Sequence, residues 1–131
     1  LNPEYKNVVQ EVIQYLSEKV RKARLLGIND VIIDPGFGFG KTIEHNYQLL
    51  KHLHDFRIFE IPLLVGLSRK SMIYKSLKTT PDESLNGTTV LNTLALQGGA
   101  TILRVHDVRE AKEAIALYQK FSNASILNWH E

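Results

Sequence analysis

The chain has 131 residues, 44% hydrophobic and 23% charged, the size and make-up of one globular domain around one core rather than of a multi-domain or disordered protein. Sixteen Lys and Arg against fourteen Asp and Glu leave a charge of +2, too small and scattered for a nucleic-acid footprint yet compatible with acidic small molecules. With no cysteine, disulfide scaffolds, cysteine nucleophiles and thiolate metal sites are excluded, in keeping with a reducing, cytoplasmic setting, and no apolar run approaches the roughly 20 residues of a membrane span.

The opening LNPEYKNVV has neither the basic start nor the apolar middle of a signal peptide, and a start at Leu1 rather than Met marks the chain as an expected piece of something longer. From Glu4 to Leu26, Val8, Val9, Val12, Ile13, Leu16, Val20 and Ala23 recur at helical steps. Asn2 is the expected cap and Pro3 the first turn, with Gly27 as the stop. Val31-Ile32-Ile33, cut off by Asp34-Pro35-Gly36, reads as a strand ending in a loop. A helix is expected around Ile43 to Phe56, a second strand at Pro62 to Gly66, and a short helical piece from Ser68 to near Leu77. Thr80-Pro81-Asp82-Glu83 has capping-box spacing and predicts a helix to Gln97, ended by Gly98 and Gly99. Thr101 to Val105 is the third strand, and Asp107 with Glu110 predicts a capped last helix through Tyr118 and Phe121.

Continuously apolar strands separated by helices imply a parallel sheet covered by helices, an α/β fold. Three strands are few for a doubly wound domain, and a closed eight-stranded barrel takes about 250 residues, so the length suits part of a barrel. Each strand delivers polar groups at its carboxyl end, where parallel α/β folds bind ligands: Asp34, then Ser68, Arg69, Lys70 and Ser71, then Arg104 and His106. Singly, each has an ordinary reading. Asp34 suits a turn, Lys70 a solvated surface, His106 a satisfied histidine and Arg104 an ion pair; only their coincidence at three strand ends argues for a site.

The loop Gly36-Phe37-Gly38-Phe39-Gly40-Lys41-Thr42 fails both nucleotide motifs: the first glycine of a P-loop would fall on Pro35, and the third glycine of a dinucleotide fingerprint on Lys41. What remains is a glycine-rich loop that lets backbone approach a flat ligand while Phe37 or Phe39 packs against it, or else a rigid turn whose phenylalanines plug the strand ends. Ser68 to Ser71, where strand passes into helix, offers amides, two hydroxyls and Lys70 to an anion. Arg104 and His106 can form the other half of a clamp.

Three segments, Ile33-Asp34-Pro35-Gly36-Phe37-Gly38-Phe39-Gly40-Lys41-Thr42, Val65-Gly66-Leu67-Ser68-Arg69-Lys70-Ser71-Met72-Ile73 and Arg104-Val105-His106-Asp107-Val108, in this order closely resemble the dihydropteroate synthase family, the sulfonamide-inhibited enzymes of folate synthesis. Asn86-Gly87-Thr88 and Gly98-Gly99-Ala100 fit as well. The resemblance implies the carboxyl-terminal half of a TIM (β/α)8 barrel, with strands six to eight and flanking helices here, residues 1–131 forming a partial pterin-binding domain. The family joins 4-aminobenzoate to 6-hydroxymethyl-7,8-dihydropterin pyrophosphate, with magnesium helping pyrophosphate to leave. By that resemblance Asp34 would accept from the amino-pyrimidine edge of the pterin and Lys70 would donate to its ring carbonyl side. Arg104 would lie on the pterin face and, with His106, hold the leaving group, so that Lys70, Arg104 and His106 form the catalytic set. Phe39 would line the aminobenzoate pocket and Ser71 would take its carboxylate. A homodimer through the last two long helices is implied, with Leu91, Leu94, Ile115, Tyr118 and Phe121 offering apolar surface. The magnesium-linked asparagine, a second pterin-binding aspartate and asparagine, and two mobile loops belong to the family's first half, so this chain alone is expected to lack synthase activity. Two other readings stay open: a pterin-binding methyltransferase, against which Ser68-Arg69-Lys70-Ser71 speaks, and a non-catalytic half-barrel.

Overall fold

A computed structural model describes residues 7–126; the expected cap Asn2, first-turn Pro3 and helix start at Glu4 lie outside them. Helix α1 (Val8–Leu25) is capped by Asn7, whose side chain accepts from the Gln10 amide at 3.1 Å. Val8, Val12 and Val20 turn inward because they share one face of the helix. Gly27, at φ +81°, ends it, with the Ile28 amide reaching back to Ala23 O at 2.9 Å and the Gly27 amide to Arg24 O at 3.0 Å.

The second predicted helix is split. Helix α2 (Ile43–Lys51) gives way to a 3-10 segment, Leu53–Phe59. Leu53, Phe56 and Phe59 recur every third residue, which suits the 3-10 repeat, where such positions eclipse, and Leu53 and Phe56 are buried in the core with Phe59 packed against it. Thr42 caps α2 in a reciprocal pair with His45, a partner that the usual Glu or Gln pattern does not flag.

Strand β1 (Leu64–Val65) pairs in parallel with β2 (Ile102–Leu103), Leu64 opposite Ile102 and Val65 opposite Leu103. The predicted strand at Val31 to Ile33 is reduced to one parallel bridge, Ile33 to Leu63, so the three segments lie side by side in chain order. The ladders are shorter than their apolar runs for local reasons. Pro35 and Pro62 have no amide to donate, and the Leu63 amide goes to the Thr101 hydroxyl at 2.8 Å.

The helical piece after β1 contracts to α3 (Ser71–Tyr74). Neither predicted capping box forms. Thr80 makes no side-chain cap; Pro81–Glu83 is a 3-10 turn, and α4 (Leu85–Gln97) starts after Ser84, whose hydroxyl donates to Pro81 O at 2.6 Å. Asp107 precedes α5 (Val108–Asn123) without capping it, because both its oxygens are taken by Arg69. Gly99, at φ +107°, closes α4 as expected, with the Ala100 amide on Ala95 O.

The core lies between the sheet and α1, α2, α3 and α4, with Leu49, Leu53, Val65 and Leu67 wholly buried. Helix α5 packs along α4 through Ala111 and Ala114. Gly87 lets α3 and α4 approach: a Cβ there would stand 2.5 Å from Ile73 Cγ2 and 3.0 Å from Leu77 Cδ1. Gly87→Val in the full-length protein is therefore expected to lower stability by about 2 kcal/mol through overpacking, read as a fall in Tm; an unchanged Tm would show that the two helices can part without cost.

Candidate functional site

Asp34 ends the first strand segment, and its two oxygens have different tasks. Oδ1 accepts the Gly36 amide at 2.8 Å, closing the turn that Asp-Pro-Gly favours, while Oδ2 faces Arg104 Nη1 at 3.5 Å. The turn reading of Asp34 and the ion-pair reading of Arg104 are thus both realised, one on each oxygen of the carboxylate.

The loop after Asp34 separates its phenylalanines. Phe37 is 1% exposed and belongs to the core; Phe39 is 71% exposed and stands 5.6 Å from Lys70 Nζ across its ring face. The loop is pinned from both sides. Asn46, buried in α2, accepts the Gly38 amide at 2.9 Å, and Lys41 Nζ donates to Gly36 O at 2.7 Å. Lys70 Nζ donates to Phe37 O at 2.6 Å, so the second strand end holds the first one's loop.

Beyond β1, Ser68 Oγ accepts the His106 amide at 3.1 Å, the Arg69 amide goes to Thr88 Oγ1 at 3.1 Å, and the Lys70 amide to Leu67 O. The expected cradle of open amides is thereby partly consumed. Helix α3 has a single turn, so it adds little dipole behind the half-buried Ser71. The segment's anion-attracting character rests on Lys70 and the Ser71 hydroxyl.

Beyond β2, Arg104 lies flat against Gly66, where a Cβ would come within 2.5 Å of its Nη2. His106 is exposed beside it. The structure brings Asp34, Lys70 and Arg104 together at the carboxyl edge of the sheet, with Phe39 against Lys70, Ser71 following it and His106 tied by its backbone to Ser68.

Three cations surround one carboxylate. Burial holds the Lys70 ammonium below the usual lysine range, and Arg104 and Lys41 repel it further while Asp34 works the other way. Burial likewise lowers Lys41, with Asp34 opposing. An anionic ligand would relieve this repulsion. Among the described residues no group of three or more His, Asp or Glu could hold a metal ion; by the resemblance, the magnesium-linked asparagine belongs to the family's first half.

A family model described as "Pterin binding enzyme" matches residues 1–106. The chain belongs to the pterin-binding enzyme family. It is 44% identical over 119 residues to the dihydropteroate synthase of Escherichia coli K12, covering 89% of this chain and 42% of that protein. Among solved structures it resembles, at TM-score 0.91 and 38% identity, Xanthomonas albilineans dihydropteroate synthase in complex with 7,8-dihydropteroate, over 95% of this chain and 50% of that one. The same TM-score and identity hold for that enzyme with 4-aminobenzoic acid, over 95% and 46%. The chain spans about half the length of these relatives, and its resemblance to dihydropteroate synthase, read from three motifs, is borne out across most of the chain.

In this member of the pterin-binding enzymes, three residues beyond the expected set shape the site. Lys41 and Asp107 stand in the resembling segments without an assigned role, Asp107 with the spacing of a cap, and Asn46 carries no motif. Their partners lie far along the chain or depend on how the loop folds, so spacing gave no signal. Asp107 is held below the ordinary carboxylate range, first by its hydrogen bonds from Arg69. A depressed native pKa contributes stability that is fully present above the unfolded value of about 4 and is lost as pH falls through the lower native value. Asp107→Asn in the full-length protein is therefore expected to lower Tm at pH 5 to 8, with the gap closing only below pH about 4; a gap that closed near neutrality would overturn the assignment.

Proposed function

We propose that the chain is the carboxyl-terminal half of a dihydropteroate synthase barrel, residues 1–131 contributing its sixth to eighth strands and their helices. The parallel order of the three strand segments and the doubled length of the relatives support this reading. The reaction is displacement: the amine of 4-aminobenzoate attacks the methylene of 6-hydroxymethyl-7,8-dihydropterin pyrophosphate. A C–N bond forms, the C–O bond to pyrophosphate breaks with its electron pair leaving on oxygen, and the amine loses a proton. The observation that carries the proposal is the lone carboxylate of Asp34 set among Lys41, Lys70 and Arg104.

In that reading Asp34 accepts from the adjacent N–H donors of the amino-pyrimidine edge. Lys70, with donors to spare beyond Phe37 O, gives one to the ring carbonyl side. Arg104, flattened on Gly66, presents a face to the pterin, and with His106 it takes up the negative charge that grows on the departing pyrophosphate. Phe39 borders the aminobenzoate ring, and Ser71 holds its carboxylate. The relatives whose structures contain 7,8-dihydropteroate or 4-aminobenzoic acid support these ligand classes. The remaining groups would come from the other half of the barrel, and the enzyme would act in the cytoplasm; no helix among the described residues is long and apolar enough to cross a membrane.

Asp34→Asn in the full-length protein is expected to weaken pterin binding by about 1 to 3 kcal/mol, since an amide offers a donor where the ligand also donates, and to leave 4-aminobenzoate binding nearly unchanged. Calorimetry showing unaltered pterin affinity would reject the assignment.

The proposal extends to a homodimer through α4 and α5. Leu91 is buried between the helices and sheet, but Leu94 and Leu117 are exposed and Phe121 is 72% exposed, and a groove of about 520 Å³ runs past Thr93, Leu117, Tyr118 and Phe121. Ile115 and Tyr118 are half-buried. Sedimentation of the full-length protein at micromolar concentration is expected to give a dimer; a monomer would leave this surface without that role.

A further inference from the structure

The segment after β1 contains a second cation, Arg69, which faces away from the Asp34 cluster and whose donors are committed elsewhere. Its Nε and Nη2 fork onto Asp107 Oδ2 and Oδ1 at 3.2 and 2.9 Å, and Nη1 donates to Pro81 O at 3.0 Å and Asp82 O at 3.2 Å. These contacts occupy most of the five N–H donors of a guanidinium, so Arg69 is poorly placed to hold a substrate anion. Its backbone has φ +55°, a left-handed conformation that costs a non-glycine residue energy and persists only where surrounding contacts enforce it. Here the enforcing contacts are the fork and the Arg69 amide on Thr88 Oγ1.

Asp107 follows directly on His106, and Arg69 directly precedes Lys70 and Ser71. The fork therefore ties the loop beyond β1 to the loop beyond β2, alongside the His106 amide on Ser68 Oγ. We propose that Arg69 is a positioning residue: through Asp107 it fixes Ser71 relative to His106, and so sets the distance between the aminobenzoate carboxylate and the departing pyrophosphate. This rests on the dihydropteroate synthase reading. The pterin itself depends less on the fork, because Lys70 is anchored separately to Phe37 O and Arg104 faces Asp34 on a different strand end. Lysine could not replace the fork, since an ammonium cannot meet a carboxylate in two parallel hydrogen bonds while reaching two carbonyls in the same plane.

The test compares Arg69→Ala, Arg69→Lys, Asp107→Asn and the double variant Arg69→Ala/Asp107→Asn in the full-length protein. Arg69→Ala is expected to lower kcat at least tenfold and raise KM for 4-aminobenzoate, while Kd for 6-hydroxymethyl-7,8-dihydropterin, which lacks the pyrophosphate, changes less than threefold. Arg69→Lys should recover only a small part of the loss, and the double variant should be no worse than the poorer single one, as expected for partners in one interaction. In parallel, amide hydrogen exchange at His106 should quicken at least tenfold in Arg69→Ala, with the Arg104 amide, bonded to Val65 O, still protected. Additive losses in the double variant, unchanged kcat, or equal loss of pterin affinity would overturn the positioning role; unaltered exchange at His106 would overturn the clamp itself. If Arg69→Ala does not fold, Asp107→Asn supplies the same kinetic and exchange readouts with milder disruption. A wild-type protein that forms no dihydropteroate would instead defeat the functional reading, and the exchange measurement would still decide whether the clamp exists.

Discussion

Everything at the site hangs on the parallel register that sets Ile33 beside Leu63 and Leu64 opposite Ile102. Side chains alternate faces along a strand, so a slip of one residue would send Asp34 and Arg104 to opposite faces. In the observed register they meet at 3.5 Å, and Lys70 arrives from the strand between them. The burial of Ile33, Leu63 and Val65 excludes a one-residue slip, because it would place these side chains in water.

The arrangement is electrostatically unbalanced, and this is its chemical content. Lys41, Lys70 and Arg104 gather around Asp34, and the two lysines are partly desolvated, so their charged forms are less favoured than in water. Such a cluster is costly without a ligand and favours one that brings negative charge. Pyrophosphate and carboxylate groups have that character, whereas a neutral ligand would leave the repulsion in place.

Close approach is the second constraint. Gly66 admits the Arg104 guanidinium flat against the backbone, and Gly87 admits α3 against α4. The first acts on the end of a flexible side chain and so governs where charge lies. The second involves side chains branched near a helix backbone and governs whether the helices meet. The same residue type thus serves recognition at one place and packing at another, and only the neighbouring atoms distinguish the two.

The sequence by itself determined the element order, the parallel α/β class and the strand ends at which Asp34, Lys70 and Arg104 would appear, because apolar runs, glycine stops and turn residues are local signals carried by neighbouring positions. It also carried, in three motifs, the resemblance that the family match bears out. Tertiary structure decided what those signals leave open. The sequence offered Phe37 and Phe39 as equivalent, yet one fills the core and the other is exposed, since burial depends on which way a folded loop turns. Asp107 had the spacing of a helix cap, but Arg69, distant in the chain, offers a bidentate charged partner that outcompetes backbone amides for its oxygens. The 3-10 segment at Leu53–Phe59 replaces the end of the helix predicted to Phe56, and it brings Leu53 and Phe56 into the core with Phe59 packed against it. In each case the deciding contact lies across the fold, and no window of sequence contains both of its partners.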